Sequence, residues 1–211
     1  MNIQSNIISV NLGARKKIQI RSRVEETGIY KNPVHDKIKI NQLGLANDVI
    51  VDTKYHGGKD QAVYLYNQED YSWWSRKLNR DLLPGTFGEN LTLSSFGTSK
   101  LKIGDRFHIN DIILEVTMAR IPCATFAAKM KDPSFVKVFK HAKRPGAYTR
   151  VIKGGELQVG DNATFVPTPE DYPTVLELFE LWYTKDVNSP IFKKALKAPI
   201  AERTKATFAS L

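Results

Sequence analysis

Between residues 6 and 166 the apolar positions fall in short runs rather than at helical intervals. The segments NIISVNL (6–12), QAVYLY (61–66), DRFHI (105–109), IILEVTM (112–118), AYTRVI (147–152) and NATFV (162–166) are rich in β-branched and aromatic residues. Gly, Asp and Asn punctuate them, which is the signature of short strands. LKIGDRFHINDIILEV predicts a hairpin turning at Asn110-Asp111, because both residue types tolerate the backbone of tight turns. LQVGDNATFV repeats that texture, and Gly104-Asp105 and Gly160-Asp161 each precede a strand-like run. Short strands at this spacing predict a closed or nearly closed barrel.

Helices are predicted between the strands. In NQEDYSWWSRKL, Asn67 is a candidate cap, and Tyr71, Trp74 and Leu78 fall on one face, which reads as core. DPSFVKVFKHA offers Asp132 as cap and Pro133 at the first helical position. The proline-rich VPTPEDYP (166–173) reads as a linker. Beyond it, Thr174 and Glu177 predict a capping box, and Ser189-Pro190 and Pro199 mark two more helix starts. The prediction is mostly β with inserted helices over 1–167, followed by a three-helix appendage over 168–211. The appendage is too small to fold without a partner surface, so it is expected to pack on the barrel.

Composition narrows the class. The 211 residues, 42% hydrophobic and 25% charged, match an ordinary soluble domain. No apolar run approaches the roughly 18 residues of a membrane span. The start MNIQSNIISVNLGARKK lacks the parts of a signal peptide. A cytoplasmic location without a membrane partner is expected. The net charge of +9 suits an anionic ligand or a generic solvated surface equally. It is densest from Lys129 to Lys153, where only Asp132 opposes eight cations.

Candidate chemistry centres on the single cysteine, Cys123, in ARIPCATF at the end of a strand-like run. It is either a small core hydrophobe or a reactive thiolate or metal ligand at the mouth of a pocket. Four polar, Gly- or Pro-flanked segments accompany it: ETGIYKNPV (26–34), VDTKYHGGKDQAV (51–63), GTFGENLTL (85–93) and the stretch from Ala119 to Val151. Each alone reads as a turn; together, in one β-rich domain, they suggest a pocket. One Cys and four separated His (His35, His56, His108, His141) do not make a structural zinc site. An iron–sulfur cluster needs several cysteines. A Cys-His hydrolase could use His56, yet nothing in sequence brings it to Cys123. Tyr148 among basic residues loosely fits a nucleic-acid groove, but no RNP signature is present.

TKYHGGKDQAVYLY, FGENLTL, LKIGDRF, EVTMARIPC and GAYTRVIKGGELQVGD, in this order, resemble the MOSC family, the molybdenum-cofactor sulfurase C-terminal domain. The three C-terminal helices resemble the "3-alpha" appendage of its YiiM-like branch. The resemblance implies a β-barrel-like MOSC fold and a molybdopterin-type cofactor, with Cys123 ligating the molybdenum or carrying sulfur to it. It places Thr27, Lys31, His56, Gly57, Gly58, Glu89, Asn90, Arg120, Gly146, Tyr148 and Arg150 around that pocket, with Lys31 or Arg150 as phosphate donors and His56 as proton donor. Pyridoxal phosphate belongs to the other domain of full-length sulfurases and is not expected. Where the family usually reads Gly-Asp before HGG, this chain has Asn47-Asp48. A soft thiolate suits a soft metal–sulfur centre. The implied activity is reduction of N-hydroxylated compounds such as hydroxylaminopurines to amines, with electrons from external donor proteins. The alternatives are persulfide transfer at Cys123, or a non-enzymatic basic module for anions; nucleic acid is the less expected partner.

Overall fold

The computed structural model describes residues 4–53 and 56–211. The thirteen strands are β1 (Gln4–Gly13), β2 (Lys16–Ile20), β3 (Arg23–Thr27), β4 (Lys31–Val34), β5 (Ile38–Asn41), β6 (Gly44–Leu45), β7 (Val63–Asn67), β8 (Leu91–Leu93), β9 (Arg106–Ile109), β10 (Ile112–Met118), β11 (Ala147–Lys153), β12 (Gly155–Leu157) and β13 (Asn162–Val166). Seven of them close a barrel in the order β1-β13-β9-β10-β11-β7-β8 and back to β1, with β4 continuing along the far end of β1. Closure leaves no strand edge among the seven. All pairs in the ring are antiparallel except β7–β8, where Leu65 faces Leu91 in parallel register. The expected barrel is therefore present and closed.

The ring is filled by Ile7, Leu65, Leu91, Phe107, Leu114 and Val116, each fully buried. On β7, Val63 and Leu65 point into that core, while Tyr64 and Tyr66 belong to a second, aromatic core outside it. A strand covered on both faces shows no polar alternation, and all five β7 residues are buried. The outer core is built by α1 (Gln68–Leu78), α2 (Ala124–Met130) and α3 (Phe135–Ala142). Its centre is Trp74, stacked on Phe139 at 5.8 Å. The Trp74 indole donates to the Tyr66 hydroxyl (2.7 Å), which donates to the Arg144 carbonyl (2.8 Å). Both buried polar tips are thus satisfied.

Local chemistry sets the element ends. Asn67 caps α1, its side chain accepting from Asp70 N at 2.8 Å. Asn110 turns the β9–β10 hairpin with φ 51°. Two predicted helix starts move. Ser134, not Asp132, caps α3, because the Asp132 carboxylate accepts from Ser134 N and Oγ and forms its own turn first. The last helix starts at Glu202 rather than at Pro199. Gly160-Asp161 does not turn a hairpin: β12 pairs with β5, whereas β13 pairs with β9 and β1.

The C-terminal helices are α4 (Val175–Thr184), α5 (Pro190–Lys197) and α6 (Glu202–Ala209). The Thr174/Glu177 capping box and the Ser189 cap with Pro190 are both formed. Val175, Leu178, Phe179, Ala195, Ile200 and Phe208 join the barrel core without interruption. Hydrogen bonds stitch the same junction: Ile103 N to Pro173 O (3.0 Å), Ala201 N to Thr117 O (3.3 Å) and Glu202 N to Asp60 Oδ2 (3.0 Å). Among the described residues no helix is long and apolar enough to cross a membrane.

Candidate functional site

The β3–β4 connection, residues 48–52 and 56–57, and the β10–α2 connection surround a cleft. Its cavity volume is about 120 Å³. Cys123 is half-buried in its wall and caps α2. Burial raises the thiol pKa. That effect is outweighed by a hydrogen bond from His56, the Arg120 guanidinium, the His56 charge and the Phe126 N–H, leaving a net value of about 6. At neutral pH Cys123 is a thiolate, the reactive and ligating form.

Arg120 is itself 3% exposed. Its guanidinium lies 4.3 Å from the Phe126 ring centroid and 5.2 Å from that of Tyr64, and Nη1 donates to Phe87 O at 2.5 Å. Burial disfavours the charge, but the Tyr148 and Tyr64 phenols, Cys123 and Glu89 outweigh it and raise the pKa. The cation is therefore retained. Its Nε is buried and has no hydrogen-bond partner among the described residues. Arg120 lines the cleft together with Cys123, and a retained guanidinium charge there suits an anionic group.

The opposite wall is a locked ion pair. Lys31 Nζ bonds both oxygens of Asp48, with side-chain exposures of 8% and 4%. Asp48 also accepts from Gly13 N (2.7 Å) and Asn90 Nδ2 (2.9 Å), and Asn90 Oδ1 accepts from Tyr64 N (3.1 Å). Burial pulls the Lys31 pKa down against the pull of Asp48. Lys31 lines the cleft but is committed to Asp48, a weaker phosphate donor than the sequence implied. The preceding Asn47 is left-handed, φ 66°, so asparagine keeps the backbone that glycine would supply.

Of the residues the sequence singled out, Thr27, Lys31, His56, Gly57, Asn90, Arg120, Cys123 and Tyr148 line this cleft. Gly58, Glu89, Gly146 and Arg150 do not. Gly58 faces a neighbouring cleft. Glu89 is fully buried and anchors the 85–92 turn, accepting from Tyr71 Oη (2.5 Å), Gly85 N (2.6 Å) and Thr92 Oγ1 (2.8 Å). Gly146 (φ 60°) lets the chain pass Leu65 and Tyr66, where an added Cβ would sit 2.6 Å from Leu65 O. Arg150 Nη2 pairs with Asp60 (3.1 Å) and donates to the Pro199 carbonyl (3.0 Å), joining barrel to appendage away from the cleft lining. Sequence reasoning gave no role to Asp48, Gln61 or Tyr64, all three in the lining. Their signal was position: each lies in or beside a quoted motif.

Lys129 stands behind the wall. Its ammonium donates to Ile29 O (3.0 Å) and Gly85 O (2.6 Å), tying two loops together. Burial lowers its pKa to about 7; Arg120 and Lys31 push the same way against Glu89.

Residues 52–164 match the MOSC domain family model, and the chain belongs to that family. Its relatives include YflK of Bacillus subtilis, 28% identical over 96% of this chain and 92% of that protein. YiiM of Escherichia coli is 26% identical over 67% of this chain and 64% of that protein. A Gibberella moniliformis protein named "Reductase" is 26% identical over 93% of this chain, which spans only 35% of that protein. The crystal structure of YiiM from Geobacillus stearothermophilus superposes with a TM-score of 0.79 at 24% identity, covering 98% of each chain, and shares the fold.

Proposed function

We propose that this MOSC protein binds a molybdenum–pterin cofactor with Cys123 as its protein metal ligand, and that it reduces N-hydroxylated compounds, such as hydroxylaminopurines, to amines. The observation that carries the reading is the Cys123 thiolate in the wall of a cleft that the buried Arg120 cation also lines. Among the described residues no three His, Cys, Asp or Glu side chains gather as a metal cage. The donor set is thus one soft thiolate, which suits a metal arriving with its own sulfur ligands. When bound, the cofactor would supply two-electron reduction of the N–O bond.

The reaction consumes two electrons and two protons and releases water with the amine. External electron-donor proteins would provide the electrons. His56, which helps lower the Cys123 pKa, would hold a proton at the reacting end. Tyr148, tilted against Tyr64 at 4.9 Å between centroids, offers a ring against which a flat substrate can lie. Arg120 keeps its charge and sustains the thiolate.

The test is metal and pterin content of wild type and Cys123→Ala, both from a cofactor-competent host. Near-stoichiometric molybdenum in wild type, lost in the variant, supports the reading and justifies a reductase assay. No molybdenum in either sinks it. The depressed thiol pKa then favours the second reading, a persulfide carrier, which trapping of sulfane sulfur on Cys123 would detect.

A further inference from the structure

Lys129 projects from the last turn of α2, the helix that Cys123 caps. Its Nζ donates to two carbonyls, Ile29 O at 3.0 Å and Gly85 O at 2.6 Å. Each carbonyl already closes a tight turn, accepting from Lys31 N and from Gly88 N respectively, both at 3.0 Å. Lys129 therefore takes the second lone pair of each. The first turn carries Gly28, Ile29 and Lys31 into the lining of the Cys123 cleft, and the second carries Gly88 and Asn90. One side chain thus fastens the helix that presents the thiolate to two of the walls around it.

Both acceptors of this clamp are neutral. The carboxylate that faces Lys129, Glu89, is already bonded through Oε1 to Tyr71, Gly85 and Thr92. Arg120 and Lys31 face it with like charge, and Lys31 is answered by Asp48. The Tyr30 ring lies 5.8 Å from its nitrogen and is shared with the Lys16 ammonium at 5.7 Å. A neutral amine has two N–H groups, one for each carbonyl. An ammonium brings a third N–H and a full charge into the same desolvated place. Burial accordingly lowers the Lys129 pKa to about 7.

We propose that Lys129 is a positioning residue that sets the width of the Cys123 cleft through its protonation: the neutral amine holds the two turns against α2, and uptake of a proton loosens them. The sign follows from linkage. A loosened wall readmits water to the ammonium and restores its ordinary basicity, so the proton binds the loosened form better. The cleft is therefore drawn open as pH falls through about 7 and stays fastened above it. Cys123 remains ionised down to about 6, which leaves a window in which the thiolate is present and its walls yield.

Paired alkylation of Cys123 in the cofactor-free full chain tests this separately from the molybdenum reading. Iodoacetamide and the bulkier iodoacetanilide share one reacting group, so the ratio of their rates cancels the thiolate fraction and reports access alone. In wild type the bulky-to-small ratio is expected to rise about 10-fold from about pH 8.5 to about pH 6, the change that one pH unit of titration below the folded value gives. Lys129→Met has nothing to titrate and Lys129→Arg is always charged, so both are expected to give a ratio flat with pH. Lys137→Gln, on α3, should keep the wild-type profile. A flat wild-type ratio overturns the clamp without recourse to any variant. So does a pH-dependent ratio that survives in either Lys129 variant, since another group in the cleft, such as His56, would then be its source.

Discussion

His56 and Cys123 line the same cleft, and His56 lowers the pKa of the Cys123 thiol, although the two belong to distant segments of the chain. Together with Arg120 it reverses what burial alone would do to the thiol. The rate of Cys123 alkylation by iodoacetamide should therefore rise with pH around a midpoint near 6. His56→Ala should move that midpoint up by a unit or more, by roughly the strength of a charged hydrogen bond. A midpoint near the ordinary thiol value in wild type would remove the thiolate from the argument.

The same shift has a stability sign. The folded thiol value lies below the unfolded one, so its contribution is fully present above the unfolded value near 9 and is lost as pH falls through about 6. Wild type should gain thermal stability relative to Cys123→Ser between pH 6 and 9, measured by melting curves across that window.

Asp48→Asn leaves the Lys31 ammonium buried without its counter-charge. Breaking one side of such a pair costs about 3–5 kcal/mol. Chemical denaturation should show a loss of that order. Lys31→Met combined with Asp48→Asn should recover part of it, since no buried charge then remains.

Burial shifts the Lys129 pKa well below that of a surface lysine. Its folded value, about 7, lies below the unfolded one, so the folded chain sheds a proton that the unfolded chain keeps. Stability relative to Lys129→Met should rise with pH from about 7 to 10 and fade as pH drops through 7. A flat difference across that range would mean the ammonium is not desolvated by the loops it ties.

Gly146→Ala should be destabilising by more than the roughly 1–2 kcal/mol of left-handed strain, because its Cβ would also meet the Leu65 carbonyl and both neighbouring tyrosine rings. Urea unfolding gives the number. A neutral substitution would show that β11 can shift away from β7.

Much of the barrel was legible because its strands alternate or run apolar in ways only a buried sheet explains. The β2–β3 hairpin was not: KKIQIRSRVEET offers only Ile18 and Ile20 as buried apolar positions among charges. Nor was α2, seven residues long, whose N-terminal cap is the cysteine itself. At the site, motif membership pointed to Cys123, Arg120 and His56, but it could not distinguish lining from support. Glu89 and Arg150 carry the same charges as functional groups; only their place outside the cleft lining and their bonds to neighbouring segments show that they brace the walls. Asp48 was given no role because its role depends on Lys31, seventeen residues away.

The ring closes where β1 meets β13, Gln4 opposite Thr164. A chain emerging from the ribosome therefore carries its first strand unpaired on that side until nearly four-fifths of the sequence has been made. Such long-range closure is slow and exposes apolar edges meanwhile. Closure of this barrel is therefore a late event in synthesis, and β1 keeps one edge open until β13 has been made.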